Sequence, residues 1–160
     1  TVSARPPTAC RCGGPAEMRL TAYTDYTLRT LMYVALQPER AATIAEIAAT
    51  YRISEAHLTK IVHQLGLTGE ITTARGRGGG LRLGRPAETI NIGAVVRRSE
   101  PDMELVACFG GSGDCPIEGA CVLTGALREA LDAFLAVLDR YTLADLIAPS
   151  QRLAALLRIA

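Results

Sequence analysis

The 160-residue chain is 49% hydrophobic and 21% charged, and its net charge is +1. That length suits one good core, or one domain with an appended arm, and the mix is ordinary for a folded soluble protein. A near-neutral balance excludes a global basic field, so a nucleic-acid role must rest on a local patch. No apolar run approaches the roughly 20 residues that span a bilayer, and residues 1–17 lack the apolar stretch of a secretory signal. The expected compartment is the cytoplasm, where free thiols bind metals or do redox work.

Residues 1–17 (TVSARPPTACRCGGPAE) do not begin with Met, are rich in Pro, Gly and Arg, and show no periodicity. A patterned stretch opens at Met18, the expected biological start. Residues 1–17 then read as an over-called reading frame or a disordered tail, with Cys10 and Cys12 part of it rather than a metal site. Thr24 is expected to cap a first helix with Leu28, Leu31, Met32, Ala35 and Leu36 at helical spacing, ended by Pro38. Thr43 and Glu46 form a capping box for a second helix carrying Ile44, Ile47 and Ala48. After a short link, Ser54 caps a third helix with Leu58, Ile61, Val62 and Leu65, closed by Gly66 or Gly69. Two short helices joined by so brief a turn read as a helix-turn-helix.

Glu70 to Ala74 and Leu81 to Leu83 alternate like strands. Between them, Arg75-Gly-Arg-Gly-Gly-Gly80 makes a glycine-rich, arginine-bearing tip. Behind a helix-turn-helix such a hairpin is a wing, with Arg75 and Arg77 offered to phosphates or a narrow minor groove. In the third helix the residues facing outward from the apolar stripe are Ser54, Glu55, His57 and Lys60. These would reach base edges or phosphates of double-stranded DNA in the major groove. His57 and His63 lie on different faces, which argues against a shared metal.

Asn91 to Val96 reads as a short helix. The segment "CFGGSGDCPIEGAC" then holds three of the five cysteines, with six residues in the first gap and five in the second. Disulfides pair cysteines by twos and a zinc knuckle prefers a tight C-x2-C, so neither fits well. Leu123, Leu127, Ala130, Leu131, Phe134, Leu135 and Leu138 form an apolar stripe about 25 Å long at 1.5 Å per residue. A small winged domain cannot cover it, so it is expected to be a dimer helix. Thr142 can start a further turn, and residues 150–160 are expected to fray. The division is 1–17 tail, 18–100 winged helix-turn-helix domain, 101–121 cysteine loop, 122–148 dimerisation region and 149–160 C-terminal tail. The fold class is mainly α with a small β-hairpin wing.

Over residues 18–148 the chain resembles the iron–sulfur winged-helix regulators, the group containing IscR, RirA and NsrR. "MRLTAYTDYTLRTLMYVAL", "ARGRGGGLRLGRPAETINIGAVV", the three-cysteine loop and "LDRYTLADL" carry the resemblance. It implies that Cys108, Cys115 and Cys121 bind an iron–sulfur cluster, 4Fe–4S ahead of 2Fe–2S. An IscR-like histidine three residues after the last cysteine is replaced here by Thr124. "TDY" stands where RirA-like chains read "TNY". Asp25 resembles the NsrR type, in which that aspartate completes the coordination from the partner subunit.

The resemblance therefore implies a homodimeric repressor that binds a palindromic operator, senses nitric oxide, and releases DNA when the cluster is nitrosylated. Three soft thiolates suit such a cluster, and Gly110, Gly111, Gly113 and Gly119 let the backbone wrap it. Arg29, at i+4 from Asp25, can steer that carboxylate, and Glu100 is expected to compete for Arg29 as a further neighbour of the cluster. A regulator of the same family answering to iron or cluster status is the nearest alternative. A zinc-stabilised DNA-binding protein and a thiol redox enzyme are the others, the last lacking C-x-x-C or a Cys–His pair.

Overall fold

The computed structural model describes residues 19–159 apart from 75, 77, 78, 111–114, 118, 119, 149 and 158. The expectations for residues 1–17 with Cys10 and Cys12, for Met18, for Arg75 and Arg77, and for Gly111, Gly113 and Gly119 lie outside the described residues.

Helix α1 spans Ala22–Ala35, and its cap is Thr21, not Thr24. Thr21 has extended backbone and its hydroxyl accepts from the Thr24 amide at 3.3 Å. Thr24 instead sits inside the first turn, fully buried. Two threonines three residues apart offer the same capping chemistry, and burial decides between them. Helix α2 (Ile44–Tyr51) starts with the expected capping box, the Thr43 amide donating to Glu46 Oε2 at 2.8 Å. Arg52 closes α2 in the left-handed conformation, and Ser54 caps α3 (Glu55–Leu67). Gly66 lies within α3, while Gly69 supplies the positive φ beyond it. Leu31, Ile47, Leu58, Ile61, Val62 and Leu65 are buried together, so the three helices share one core.

Strands β1 (Ile71–Ala74) and β2 (Gly80–Leu83) pair antiparallel, from Ile71 opposite Leu83 to Ala74 opposite Gly80. Leu81 also exchanges two backbone hydrogen bonds with Ala42, at 3.0 and 2.7 Å, which stitches the hairpin to the link before α2. Gly80 is required there: its φ is +144° and a Cβ would stand 2.5 Å from the Ala42 carbonyl oxygen.

Helix α4 (Ile92–Ser99) is capped by Asn91 and runs a turn past Val96. After the cysteine segment, α5 spans Val122–Leu138. The chain then returns to the winged core. Leu143, fully buried in α6 (Leu143–Ile147), donates its amide to Ile90 O at 2.8 Å, and Ile92 donates to Tyr141 O at 3.0 Å. Thr142 and Asp145 form a second capping box. Residues expected to fray form α7 (Ser150–Leu157), because Leu157 and Ile159 find apolar surface on the core.

Candidate functional site

The buried stripe of α3 determines its outer face. With Leu58 fully buried, Ser54, Glu55, His57 and Lys60 are all exposed. Ser54 also spends its hydroxyl on the cap, accepting from the His57 amide at 3.3 Å. The His57 ring leans toward Tyr26 of α1, with centroids 6.4 Å apart. The hairpin whose strands flank the arginine-bearing segment starts four residues after α3 ends, at Ile71.

The cysteine segment brings two of its thiols to the start of α5. Cys108 lies in a 3-10 turn at Ala107–Gly110, and its sulfur is 3.7 Å from the Thr124 hydroxyl. Cys121 is the residue from which α5 starts. Hydrogen bonding from the Thr124 hydroxyl, then from the Thr124 and Leu123 amides, holds the Cys121 thiol below its ordinary pKa. Cys108, Cys115 and Cys121 are all half-buried free thiols. Three soft sulfur donors fit an iron–sulfur cluster in chemistry. Among the described residues, no group of three or more His, Cys, Asp or Glu side chains is gathered within the one chain as a metal site. Thr124, at the position where a histidine is missing, thus touches the cysteines as a hydrogen-bonding neighbour. Arg128, one turn further, covers the Phe109 ring at 4.8 Å. Nothing in the spacing of Phe109 and Arg128 signals that contact, because they meet only when the loop folds back on α5.

Asp25 lies in the first turn of α1, where the helix dipole favours a carboxylate. Its two oxygens meet Arg29 Nε and Nη2, each at 2.9 Å, and both side chains are 44% exposed. Arg29 also stands over the Tyr51 ring, 5.7 Å from its centroid, at the end of α2. Asp25 is thereby linked through one guanidinium to the turn of the helix-turn-helix, a role for Tyr51 that helical periodicity does not reveal. The expected rivalry of Glu100 for Arg29 does not occur. Glu100 Oε1 instead receives the Thr21 amide at 2.8 Å and the Thr21 hydroxyl at 3.1 Å. The orphan donors at a helix start attract that carboxylate more directly than an arginine already paired one turn on.

Helix α5 has no buried residue among those described, and Val122, Leu123, Phe134 and Val137 are exposed. Leu131 and Phe134 line a groove of about 560 Å³ with Leu20, Thr21, Glu100 and Met103, beside the start of α1. No helix among the described residues is long and apolar enough to cross a membrane.

Residues 20–149 match the family model described as Rrf2, iron-dependent transcriptional regulator. The chain is 48% identical over 144 residues to the HTH-type transcriptional regulator NsrR of Halalkalibacterium halodurans, covering 89% of this chain and 99% of the relative. It is 52% identical to the NsrR of Geobacillus kaustophilus, covering 88% and 97% respectively. Among solved structures it is similar to CymR, the global cysteine regulator of Bacillus subtilis, with TM-score 0.67 and 26% identity over 82% of this chain and 97% of that one. IscR of T. potens shares the fold, with TM-score 0.68 and 21% identity over 84% and 89%.

Proposed function

The chain belongs to the Rrf2 family, as an NsrR-type transcriptional regulator and not an enzyme, and from that premise we propose that it is a homodimeric repressor whose hold on DNA is gated by an iron–sulfur cluster sensing nitric oxide. The observation that carries this reading is that Cys108, Cys115 and Cys121 are free, half-buried thiols, two of which, Cys108 and Cys121, lie at the start of α5. Cys108, Cys115 and Cys121 would hold the cluster, with Asp25 of the partner subunit as the remaining ligand, 4Fe–4S ahead of 2Fe–2S. When bound, the cluster supplies iron to which nitric oxide can bind.

The protein's own residues do the rest. The Thr124 hydroxyl favours the thiolate form of Cys121 that a metal needs. Arg29 holds the Asp25 carboxylate on an accessible face of α1 and ties it to Tyr51. The uncovered apolar face of α5 is the pairing surface, and the groove it shares with the α1 start puts Asp25's end of the molecule beside that surface. Two subunits related by a twofold axis present two α3 helices to a palindromic operator in the cytoplasm. Ser54, Glu55, His57 and Lys60 face the bases and backbone there, with Arg75 and Arg77 on flanking phosphates or the minor groove. Arg29 and Glu100 remain close neighbours of the cluster.

The test is to replace Cys108, Cys115 or Cys121 singly by Ser and purify anaerobically. Each variant should lose visible absorbance, iron and sulfide, and tight DNA binding, while keeping the helical content of the parent. Full colour and repression in all three would refute the ligand assignment, and a colourless zinc-containing parent would favour a structural metal instead.

A further inference from the structure

Helix α4 is short, yet Arg97 and Arg98 near its end, with Glu100 just past it, grip three other elements. Arg97 makes a bidentate pair with Asp139 just past α5, at 2.6 Å through both oxygens. Glu100 accepts from Thr21 at the start of α1. Between them, Arg98 donates to Glu70, whose carboxylate is fully buried. Glu70 Oε1 also accepts from Arg85 at 2.9 Å, and Oε2 accepts from the Thr68 hydroxyl. Its backbone is equally committed. The Glu70 amide donates to Leu65 O in α3 at 3.0 Å, and its carbonyl accepts from Gly84 N, just past β2, at 2.8 Å. One residue thus joins the reading helix, both feet of the hairpin and α4.

A buried ion pair of this kind gives little net stability over an apolar filling of equal shape. What it does give is direction: Arg85 and Arg98 converge on one carboxylate from the foot of the hairpin and from α4. We propose that Glu70 is a positioning residue for DNA binding, which through Arg98 sets the pose of the wing according to where α4 lies. Helix α4 leads directly into the cysteine segment, so a change there moves Arg98, and Glu70 passes that movement to the feet of the hairpin and the end of α3. This inference rests on the reading of the protein as a cluster-gated regulator.

The experiment uses the full chain, prepared anaerobically with and without its cluster. The DNA is a duplex that the parent selects from a randomised pool. Arg98→Gln removes the α4 arm and leaves Glu70 paired with Arg85, whereas Arg98→Lys keeps a cation on α4. The loaded-to-free affinity ratio should fall about fivefold or more in Arg98→Gln, within the usual range of coupling between sites, and recover in Arg98→Lys. A purely structural role would weaken both forms alike and leave that ratio where it was. Should Arg98→Gln not fold, the double variant Glu70→Gln, Arg98→Gln carries the same expectation with two neutral side chains of matching shape. An unchanged ratio in the glutamine variant overturns the relay alone. A ratio of one in the parent overturns the regulator reading and the relay together.

Discussion

Gly93→Ala introduces a Cβ into the junction where the chain leaving α5 meets α4. On the present backbone that carbon stands 2.0 Å from Asp139 Oδ1, 2.9 Å from Cγ and 3.0 Å from the Asp139 amide nitrogen. The carboxylate can swing away only by releasing Arg97, which it holds through both oxygens. The amide nitrogen cannot swing, because it donates to Leu135 O at 2.9 Å in the last turn of α5. In an open helix, alanine is favoured over glycine by about 1 kcal/mol. Overpacking a close junction costs about 1–3 kcal/mol, so the net expectation is a loss of about 1 kcal/mol. For a chain of this size that lowers the melting midpoint by about 2–4 °C. Thermal melts of cluster-free protein at one fixed concentration would show it, and the penalty should shrink in an Asp139→Ala background, where the carboxylate is absent. A midpoint that is unchanged or raised would mean that helix propensity governs position 93 and that the α4–α5 junction is loose.

Asp25→Ala should keep a coloured, thiolate-held cluster yet narrow the difference in DNA affinity between loaded and free protein, measured by operator titration; an undiminished ratio would remove Asp25 from the gate. Arg75→Ala should weaken binding to all duplexes and reduce the slope of log affinity against log salt by about 1, whereas Glu55→Ala should shift base preference in a pool selection more than total affinity. Among the carboxylates that titrate low in the folded state are Asp139, through its hydrogen bonds to Arg97, and Asp145, through the Thr142 amide and hydroxyl. A depressed folded pKa stabilises above the unfolded value near pH 4 and loses that contribution as pH falls through the folded value, so melting midpoints should drop on the acid side. The drop should be smaller in Asp145→Ala.

Much of the reading head is legible in the chain because its signals are local. Thr43 with Glu46, and Ser54 ahead of Leu58, Ile61, Val62 and Leu65, announce helix starts and buried faces within a few residues. The choice of Thr21 over Thr24 is not local: it follows the burial of Thr24 in the folded core, and Thr21 meets Glu100, 79 residues away. The same holds for Glu70. The sequence pattern places Glu70 at the start of an alternating strand and says nothing of its partners, and only folding brings Arg85 and Arg98 onto it. The apolar stripe of α5 shows plainly in sequence, and in the single chain it stays without a buried residue among those described. Helix α7 is weakly amphipathic in sequence, and Leu157, with Ile159 just beyond it, counts only once a core exists for them to touch.

The proposed control of DNA binding by nitric oxide acts where the three thiols lie. Its most direct test is an anaerobic titration of the selected duplex with cluster-loaded protein, before and after nitric oxide, at one salt concentration. Visible absorbance should change and affinity should fall about a hundredfold or more, equivalent to about 3 kcal/mol of binding free energy. An altered absorbance with the same dissociation constant before and after would contradict it.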